Sequence, residues 1–311
     1  MSLPSTPIAI KLSSSEAKDK VLNQTNLEIA IRALARDGLV VVEDLVPHSV
    51  LHTLNEKMIQ DAYKLQNMEN SPYNYNKGNL QQDPLMTKDF FFADVFVNPI
   101  VTQITSTALG PNPFLRFISG NTAFPPTASA PPQSQPTHND ADFDHPQVPF
   151  ALVINVPLVT MTPENGSTEI WLGTHANTTI DDQEGAHGDR ASGRIKQHLL
   201  EQRRSVRPPI QPIVKKGSVI IRDLRLWHGG KPNLGREPRV MLAFIHFAPW
   251  YRNQMTVEVA KELKDELSIE KTKLHVAAKF LDSEEIEKTY LNRPYGNAYD
   301  FDQVAKIEGV F

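Results

Sequence analysis

The chain has 311 residues, 40% of them hydrophobic, and a formal net charge of −4. This length allows a large core, and the absence of cysteine excludes disulfides, thiolate metal sites and a cysteine nucleophile. The sequence has no long basic run that would predict nucleic-acid binding, no signal peptide, and no run of about 18 apolar residues that would predict a membrane span. We therefore expect a cytoplasmic protein.

The first third of the chain is predicted to be mainly helical, with one short strand. Hydrophobic spacing and end signals identify the elements. In chain order they are a polar, frayed or surface-draped segment at 1–22, a helix capped by Asn26 and stopped by Gly38, a strand at 39–44, an amphipathic helix at 49–66, an irregular stretch at 67–88, and a helix with Asn98 as cap, Pro99 at its first position and Gly110 as its stop.

Short β-rich runs separated by turn signals begin near residue 113. They are PFLRFISG, VPFALVINVPLV, STEIWLG, QPIVK, GSVIIRDL and RVMLAFIHFA. No long helix alternates with them, which argues against a parallel doubly wound sheet and favours an antiparallel sandwich or jelly roll. The predicted fold is mainly β with flanking helices, in one domain over 1–311 whose β-core covers about 110–250.

Two segments, one within the β-rich region and one after it, are not predicted to be β-rich. A polar insertion at 176–209, with a helix expected near 192–203, is either a mobile lid over a substrate or a surface excursion. Residues 254–292 return to charged sequence with helical spacing.

The stretch QPTHNDADFDHP, residues 135–146, concentrates histidine and aspartate. Side chains two apart on a strand point to the same face, so His138 and Asp140 lie roughly 7 Å apart at Cα and suit two ligands converging on one metal ion. Asp142 and Asp144 lie further along the chain. The alternative is a solvated turn with aspartate caps.

A second motif lies beyond the insertion, where His228 directly follows a predicted strand and precedes a Gly-rich turn. Eleven residues later, Arg239 starts the run RVMLAFIHF and shares a face with Met241, Ala243 and Ile245. A guanidinium on an inward face must find an anion, because burying it unpaired is prohibitive. The alternatives are a surface histidine that closes a turn and an arginine that reaches solvent at the mouth of the strand.

The two histidines and one carboxylate make up a 2-His-1-carboxylate set. The inward arginine adds a cation that can pair with an anionic ligand. These residues lie in QPTHND and WHGGKPNLGREPR, and with ENGSTEIWLGTHA and KGNLQQDP they carry a resemblance over about 77–247. The chain resembles the Fe(II)/2-oxoglutarate-dependent oxygenases, specifically the phytanoyl-CoA-dioxygenase-like branch, which includes fungal and bacterial enzymes that tailor small natural products. One departure is the usual PGSH, which reads LGTH here.

The resemblance implies a double-stranded β-helix core, a jelly roll of the cupin-like kind, and a role for each matched residue. The metal triad is matched by His138, Asp140 and His228, contacts to 2-oxoglutarate by Gln135 and Thr168, and the grip on its distal carboxylate by Arg239. Asn79 and Gln81 are candidates for one further contact to the co-substrate.

The implied activity is that of a dioxygenase using Fe(II), 2-oxoglutarate and O₂ to hydroxylate, desaturate or otherwise oxidise a small molecule, a secondary metabolite in biosynthesis, and a homodimer is implied as well. Related halogenases carry a small residue in place of the carboxylate ligand, so Asp140 predicts oxidation without halogen transfer. Two alternatives stay open. One is a metal-dependent cupin-type enzyme without 2-oxoglutarate, and the other is a non-catalytic jelly-roll binding protein.

Overall fold

The computed structural model describes residues 6–185, 193–292 and 301. The helices are α1 Ser14–Asp19, α2 Gln24–Asp37, α3 His48–Gln66, α4 Ala93–Phe96, α5 Pro99–Leu109, α6 Gln197–Val206, α7 Ile269–Thr272 and α8 Ser283–Thr289. The strands are β1 Ala9–Lys11, β2 Leu39–Glu43, β3 Tyr73–Asn74, β4 Asn76–Gln82, β5 Phe114–Ala123, β6 Ala151–Pro157, β7 Thr168–Ile170, β8 Gln183–Glu184, β9 Arg194–Ile195, β10 Val219–Asp223, β11 His228–Gly230, β12 Arg239–Phe247, β13 Val257–Ala260, β14 His275–Val276 and β15 Ala278–Leu281.

Nine strands form one mixed sheet in the order β1-β2-β10-β6-β12-β5-β4-β3, with β14 beside β5. The pairs β1–β2 and β14–β5 are parallel and the ladders from β2 to β3 are antiparallel. A short antiparallel sheet, β7–β11, lies across a cavity from one face of the main sheet. This is the predicted mainly β, jelly-roll architecture with flanking helices, although the pairings among the described residues close no barrel.

The hydrophobic core lies between the main sheet and helices α2, α3 and α5, which contact β2, β4, β6 and β12. Strand β6 is buried along its whole length because both of its faces are covered. Leu152 and Ile154 on one face pack in the core, whereas Val153 and Asn155 on the other face line the cavity, and Val153 also contacts the core cluster. The alternation of side chains along the strand thus directs one face to the site.

The predicted helix ends are confirmed in three places, at Gly38, Asn98 and Gly110, and wrong in one. The side chain of Asn98 caps α5 by accepting from the backbone N–H of Ile100 at 3.0 Å. Gly38 ends α2 in the left-handed conformation, with φ +73°. The cap of α2 is Asn23, which accepts from the backbone N–H of Asn26 at 2.9 Å. Asn26 lies inside the helix, and its amide donates to the Glu16 carboxylate.

Replacing Asn23 with alanine is expected to lower the free energy of unfolding by about 1 kcal/mol, the usual value of a helix N-cap. Asn23→Ser keeps an acceptor at the same place and is expected to stay near the wild type. Urea denaturation of the three proteins measures the difference. Equal midpoints for Asn23→Ala and the wild type would contradict the assignment of Asn23 as the cap.

Two segments differ from the sequence-based expectation because they gain partners in the main sheet. The stretch expected to be irregular at 67–88 contains β3 and β4, which extend the sheet beside β5. The segment expected to be frayed contains β1, which pairs with β2, and the capped helix α1. Pairing with a neighbour decides strand formation more strongly than local sequence does.

Other corrections concern the C-terminal half. Residues 254–292 were expected to be helical, but they contain β13, β14 and β15 with only the short helices α7 and α8. QPIVK forms no strand, and its Val214 makes an isolated bridge to Met161. The helix expected in the polar insertion is α6, and the middle of that insertion, 186–192, lies outside the described residues. In the described part of the chain, no helix has both the length and the apolarity needed to cross a membrane.

Candidate active site

The segment that contains His138 is fixed beside β11 by a reciprocal pair of backbone hydrogen bonds. The His138 N–H donates to the His228 carbonyl at 2.8 Å, and the His228 N–H donates to the His138 carbonyl at 3.0 Å. The two predicted histidines, 90 residues apart in sequence, are therefore direct neighbours. Their ring centroids are 4.3 Å apart.

Three side chains converge at this point. Asp140 Oδ1 lies 3.7 Å from the Nε2 atom of His138 and 3.7 Å from the Nε2 atom of His228. The ligand atoms of all three residues lie within 4.8 Å of one another. Metal–ligand bonds of about 2.1 Å put adjacent donors roughly 3 Å apart, so small side-chain movements bring these atoms to bonding distance.

Hydrogen bonds fix the orientation of both imidazoles. His138 Nδ1 lies 2.9 Å from the Pro136 carbonyl, and His228 Nδ1 lies 2.9 Å from the Leu226 carbonyl. A carbonyl oxygen only accepts, so each Nδ1 carries the proton and each Nε2 offers a lone pair to the centre.

The protonation states also suit a cation. Burial lowers the pKa of His138 and lowers that of His228 well below its usual value, which keeps both rings neutral. Burial alone would raise the pKa of Asp140, but Arg222 and the two histidines outweigh it and hold that pKa below the ordinary range. Two neutral imidazoles and one carboxylate form a donor set that fits iron binding.

The other acidic and histidine side chains of the 135–146 stretch do not join this cluster. Asp144 is exposed. His145 is buried, with Nδ1 at 3.1 Å from the Pro146 carbonyl and its ring stacked on Phe150. The structure therefore groups His138 and Asp140 with His228 and leaves the other members of the stretch outside.

The three donors open into a cavity between the main sheet and the β7–β11 sheet. The free space in and above it, including the part open to solvent, is about 1240 Å³. Every residue that the sequence analysis associated with metal or co-substrate lines this one cavity: Asn79, Gln81, Gln135, His138, Asp140, Thr168, His228 and Arg239.

Gln135 and Thr168 lie on either side of Gly230. The Gln135 N–H donates to the Gly230 carbonyl, and the Gly230 N–H donates to Gln135 Oε1, both at 2.8 Å. A Cβ atom at Gly230 would lie 2.6 Å from that Oε1, so a larger residue there would displace the end of the Gln135 side chain. Thr168 pairs with Gly230 from the other side. The two side chains thus reach the cavity from adjacent backbone segments.

Arg239 is a cation buried at the start of β12, only 4% exposed. Its Nη2 donates to the Gly166 carbonyl at 2.7 Å, and its buried Nε has no hydrogen-bond partner among the described residues. Burial lowers its pKa to about 10, so the group stays charged at neutral pH. Of the neighbouring arginines, Arg236 is exposed, and Arg225 is occupied by Asp223. The unmatched donor of Arg239 fits a carboxylate ligand.

The sequence analysis missed Arg222, which comes from β10 and lines the same cavity. Its Nη2 donates to Asp140 Oδ2 at 2.7 Å. The signal was an arginine within the apolar run VIIRD, which is the same pattern that singled out Arg239.

The fold and the cavity together define a class: a jelly-roll protein with a 2-His-1-carboxylate cluster at the mouth of its sheets. Residues 34–241 match the model of the family described as phytanoyl-CoA dioxygenase (PhyH), and the chain belongs to that family.

Several solved structures have a similar fold. The epimerase SnoN, in complex with Fe³⁺, alpha ketoglutarate and nogalamycin RO, has a TM-score of 0.54 at 16% identity, over 72% of this chain and 84% of that one. EctD from S. alaskensis, with 2-oxoglutarate and 5-hydroxyectoine, has a TM-score of 0.51 at 17% identity, over 78% and 81%. AviO1 from Streptomyces viridochromogenes Tue57 has a TM-score of 0.50 at 17% identity, over 74% and 98%. These likenesses confirm the fold.

Proposed function

We propose that the chain is a non-haem dioxygenase that uses Fe(II), 2-oxoglutarate and O₂ to oxidise a C–H bond of a small molecule. In this proposal His138, Asp140 and His228 would hold the iron. Membership of the phytanoyl-CoA dioxygenase family and the convergence of the three donor atoms support it.

We place the co-substrate between the three metal donors and Arg239. Arg239 binds its distal carboxylate through two N–H groups, and Gln135 and Thr168 contact it nearer the metal. When bound, iron would activate O₂, and oxidative decarboxylation of 2-oxoglutarate to succinate and CO₂ would supply two of the four electrons that O₂ takes up; the substrate C–H bond would supply the other two. The protein groups would bind and orient the co-substrate.

The observation that carries the proposal is the buried Arg239 in the same cavity as the three donors. Its Nε has no partner among the described residues, and a buried charge without an anion is costly. A cupin-type enzyme without 2-oxoglutarate would leave that charge unmatched. A binding protein would need neither the donors nor the arginine.

Succinate formation tests the proposed activity directly. The purified protein, loaded with Fe(II) without oxygen and then given 2-oxoglutarate and air, is expected to release succinate slowly, and faster once a substrate is added. A matched reaction with Zn(II) in place of Fe(II) is the control. Metal binding without any 2-oxoglutarate affinity would favour the cupin-type alternative, and no metal binding would favour the binding protein.

The finer parts of the proposal concern the substrate and the setting. The substrate is proposed to be a secondary metabolite, and the outcome hydroxylation, desaturation or a related C–H oxidation. Incubation with candidate metabolites and mass spectrometry of the products tests both.

Three further points stay predictions: the single domain over 1–311, the homodimer and the cytoplasmic location. Limited proteolysis tests the domain, light scattering tests the dimer, and cell fractionation tests the location.

Products formed in chloride buffer are expected to gain oxygen or lose hydrogen, and to contain no chlorine. Asp140 fills the ligand position that a halide would need, and its Oδ1 faces both imidazoles. Mass spectrometry separates these outcomes by isotope pattern. A chlorinated product from the wild-type protein would refute the prediction.

A further inference from the structure

Arg222 is a buried cation with a defined set of contacts on the cavity face of β10. It is 6% exposed, and its register partner on β6, Val153, lines the same cavity. Its Nε donates to Asn155 Oδ1 at 3.1 Å. Asn155 in turn donates from Nδ2 to the Leu242 carbonyl at 3.4 Å. The guanidinium is therefore held in place by Asn155 of the neighbouring strand β6.

The contact with Arg222 distinguishes the two oxygens of Asp140. Oδ2 accepts from Arg222 Nη2 at 2.7 Å, whereas Oδ1 lies 3.7 Å from the Nε2 atom of each histidine. A charge-assisted hydrogen bond of this length strongly favours one rotamer of the carboxylate. Only one oxygen is thus directed at the centre of the cluster.

All three donor residues share one feature: the polar atom that does not face the cluster has its own hydrogen-bond partner. Each histidine has its second nitrogen occupied by a backbone carbonyl, and Asp140 has its second oxygen occupied by Arg222. Partners of this kind orient ligands and tune metal sites. Arg222 differs from the other two partners because it carries a full positive charge.

We propose that Arg222 is a positioning residue that holds Asp140 as a one-oxygen ligand and makes the place of that carboxylate attractive to anions. The inference rests on the proposed metal site. It has two consequences: without Arg222, Asp140 can turn and offer both oxygens to a metal, and without Asp140, Arg222 can hold a small carboxylate in its place.

The first experiment replaces the carboxylate and uses Mn(II) as a redox-stable metal and formate as the probe. Asp140→Gly is expected to lose Mn(II) affinity, and formate is expected to restore it on the order of tenfold, measured from the free Mn(II) signal in electron paramagnetic resonance. In Asp140→Gly/Arg222→Met the effect of formate is expected to disappear. Equal restoration in both variants would overturn the role of Arg222.

The second experiment keeps Asp140 and so does not depend on the glycine variant folding. Arg222→Met is expected to have one bound water fewer on Mn(II) than the wild type, because Asp140 takes that position with its second oxygen. Electron spin echo measurements in deuterated water count these waters. Arg222→Lys keeps a cationic donor near Oδ2 and is expected to restore the wild-type number. A wild-type number in Arg222→Met would also overturn the proposal.

Arg225 provides a matched control. It is buried close to Arg222, but it pairs with Asp223 and does not line the cavity. Arg225→Met is expected to lower the melting temperature and to leave the bound waters unchanged. A wild-type protein that binds no Mn(II) would refute the proposed metal site itself. Normal binding by the wild type with no effect of Arg222 would refute only the positioning role.

Discussion

Asp140→Ala is expected to lose iron, whereas Asp142→Ala is expected to bind it like the wild type. Asp140 supplies the only carboxylate oxygen in the cluster of three donors, at 3.7 Å from each histidine nitrogen. Removing it also leaves Arg222 buried without its anion, and this uncompensated positive charge repels a divalent cation. The two effects act in the same direction.

We expect the affinity for Fe(II) to fall at least about a hundredfold, which is about 2.8 kcal/mol at 1.4 kcal/mol per factor of ten. The measurement is iron stoichiometry in anaerobically purified single-alanine variants of His138, Asp140, Asp142, Asp144, His145 and His228. Circular dichroism of each variant excludes unfolding as the cause of a loss. Loss of iron from Asp142→Ala with retention in Asp140→Ala would mean that the assignment of the stretch is wrong.

The sequence could predict which residue types face the same way, but not which segments meet. Period-two spacing put His138 and Asp140 on one face, and the convergence of their side chains at Oδ1 and Nε2 agrees with that spacing. The meeting with His228 depends on a backbone bridge between segments 90 residues apart, which no local pattern contains. Before the structure, only the family resemblance supplied that link.

Arg222 shows the limit of the same reasoning. The argument from an arginine in an apolar strand was applied to Arg239 and was not carried to β10, where it holds equally. Its partner Asp140 lies 82 residues away, in the irregular segment that His138 bridges to β11, so the contact depends on tertiary packing that no local pattern contains. The strands β13, β14 and β15 were missed for a related reason, since their pairing is non-local: β13 pairs with β15, and β14 pairs with β5.

Arg239→Ala is expected to weaken 2-oxoglutarate binding and to leave iron binding largely unchanged. Arg239 lies at the start of β12 and lines the cavity, and its buried Nε has no hydrogen-bond partner among the described residues. A desolvated bidentate contact between guanidinium and carboxylate is worth a few kcal/mol. Truncation would also leave the co-substrate carboxylate buried and unpaired.

The expected loss of affinity is therefore on the order of tenfold to several hundredfold, at 1.4 kcal/mol per factor of ten. Arg236→Ala is the matched control, because Arg236 is exposed and lies three residues before Arg239 in the sequence. The affinity of the Arg236→Ala variant for 2-oxoglutarate is expected to stay near that of the wild type. Arg239→Lys tests geometry at constant charge: a single ammonium cannot make the paired contact, so an intermediate affinity is expected.

The measurement is 2-oxoglutarate affinity without oxygen, with Fe(II) bound, by titration of each variant. Iron content measured on the same samples separates loss of the metal from loss of the co-substrate. If Arg239→Ala binds like the wild type while Arg236→Ala does not, the inward register of β12 has been assigned to the wrong arginine. If neither substitution changes the affinity for 2-oxoglutarate while iron is bound normally, Arg239 does not bind 2-oxoglutarate. The cupin-type alternative then becomes the better account of the cavity.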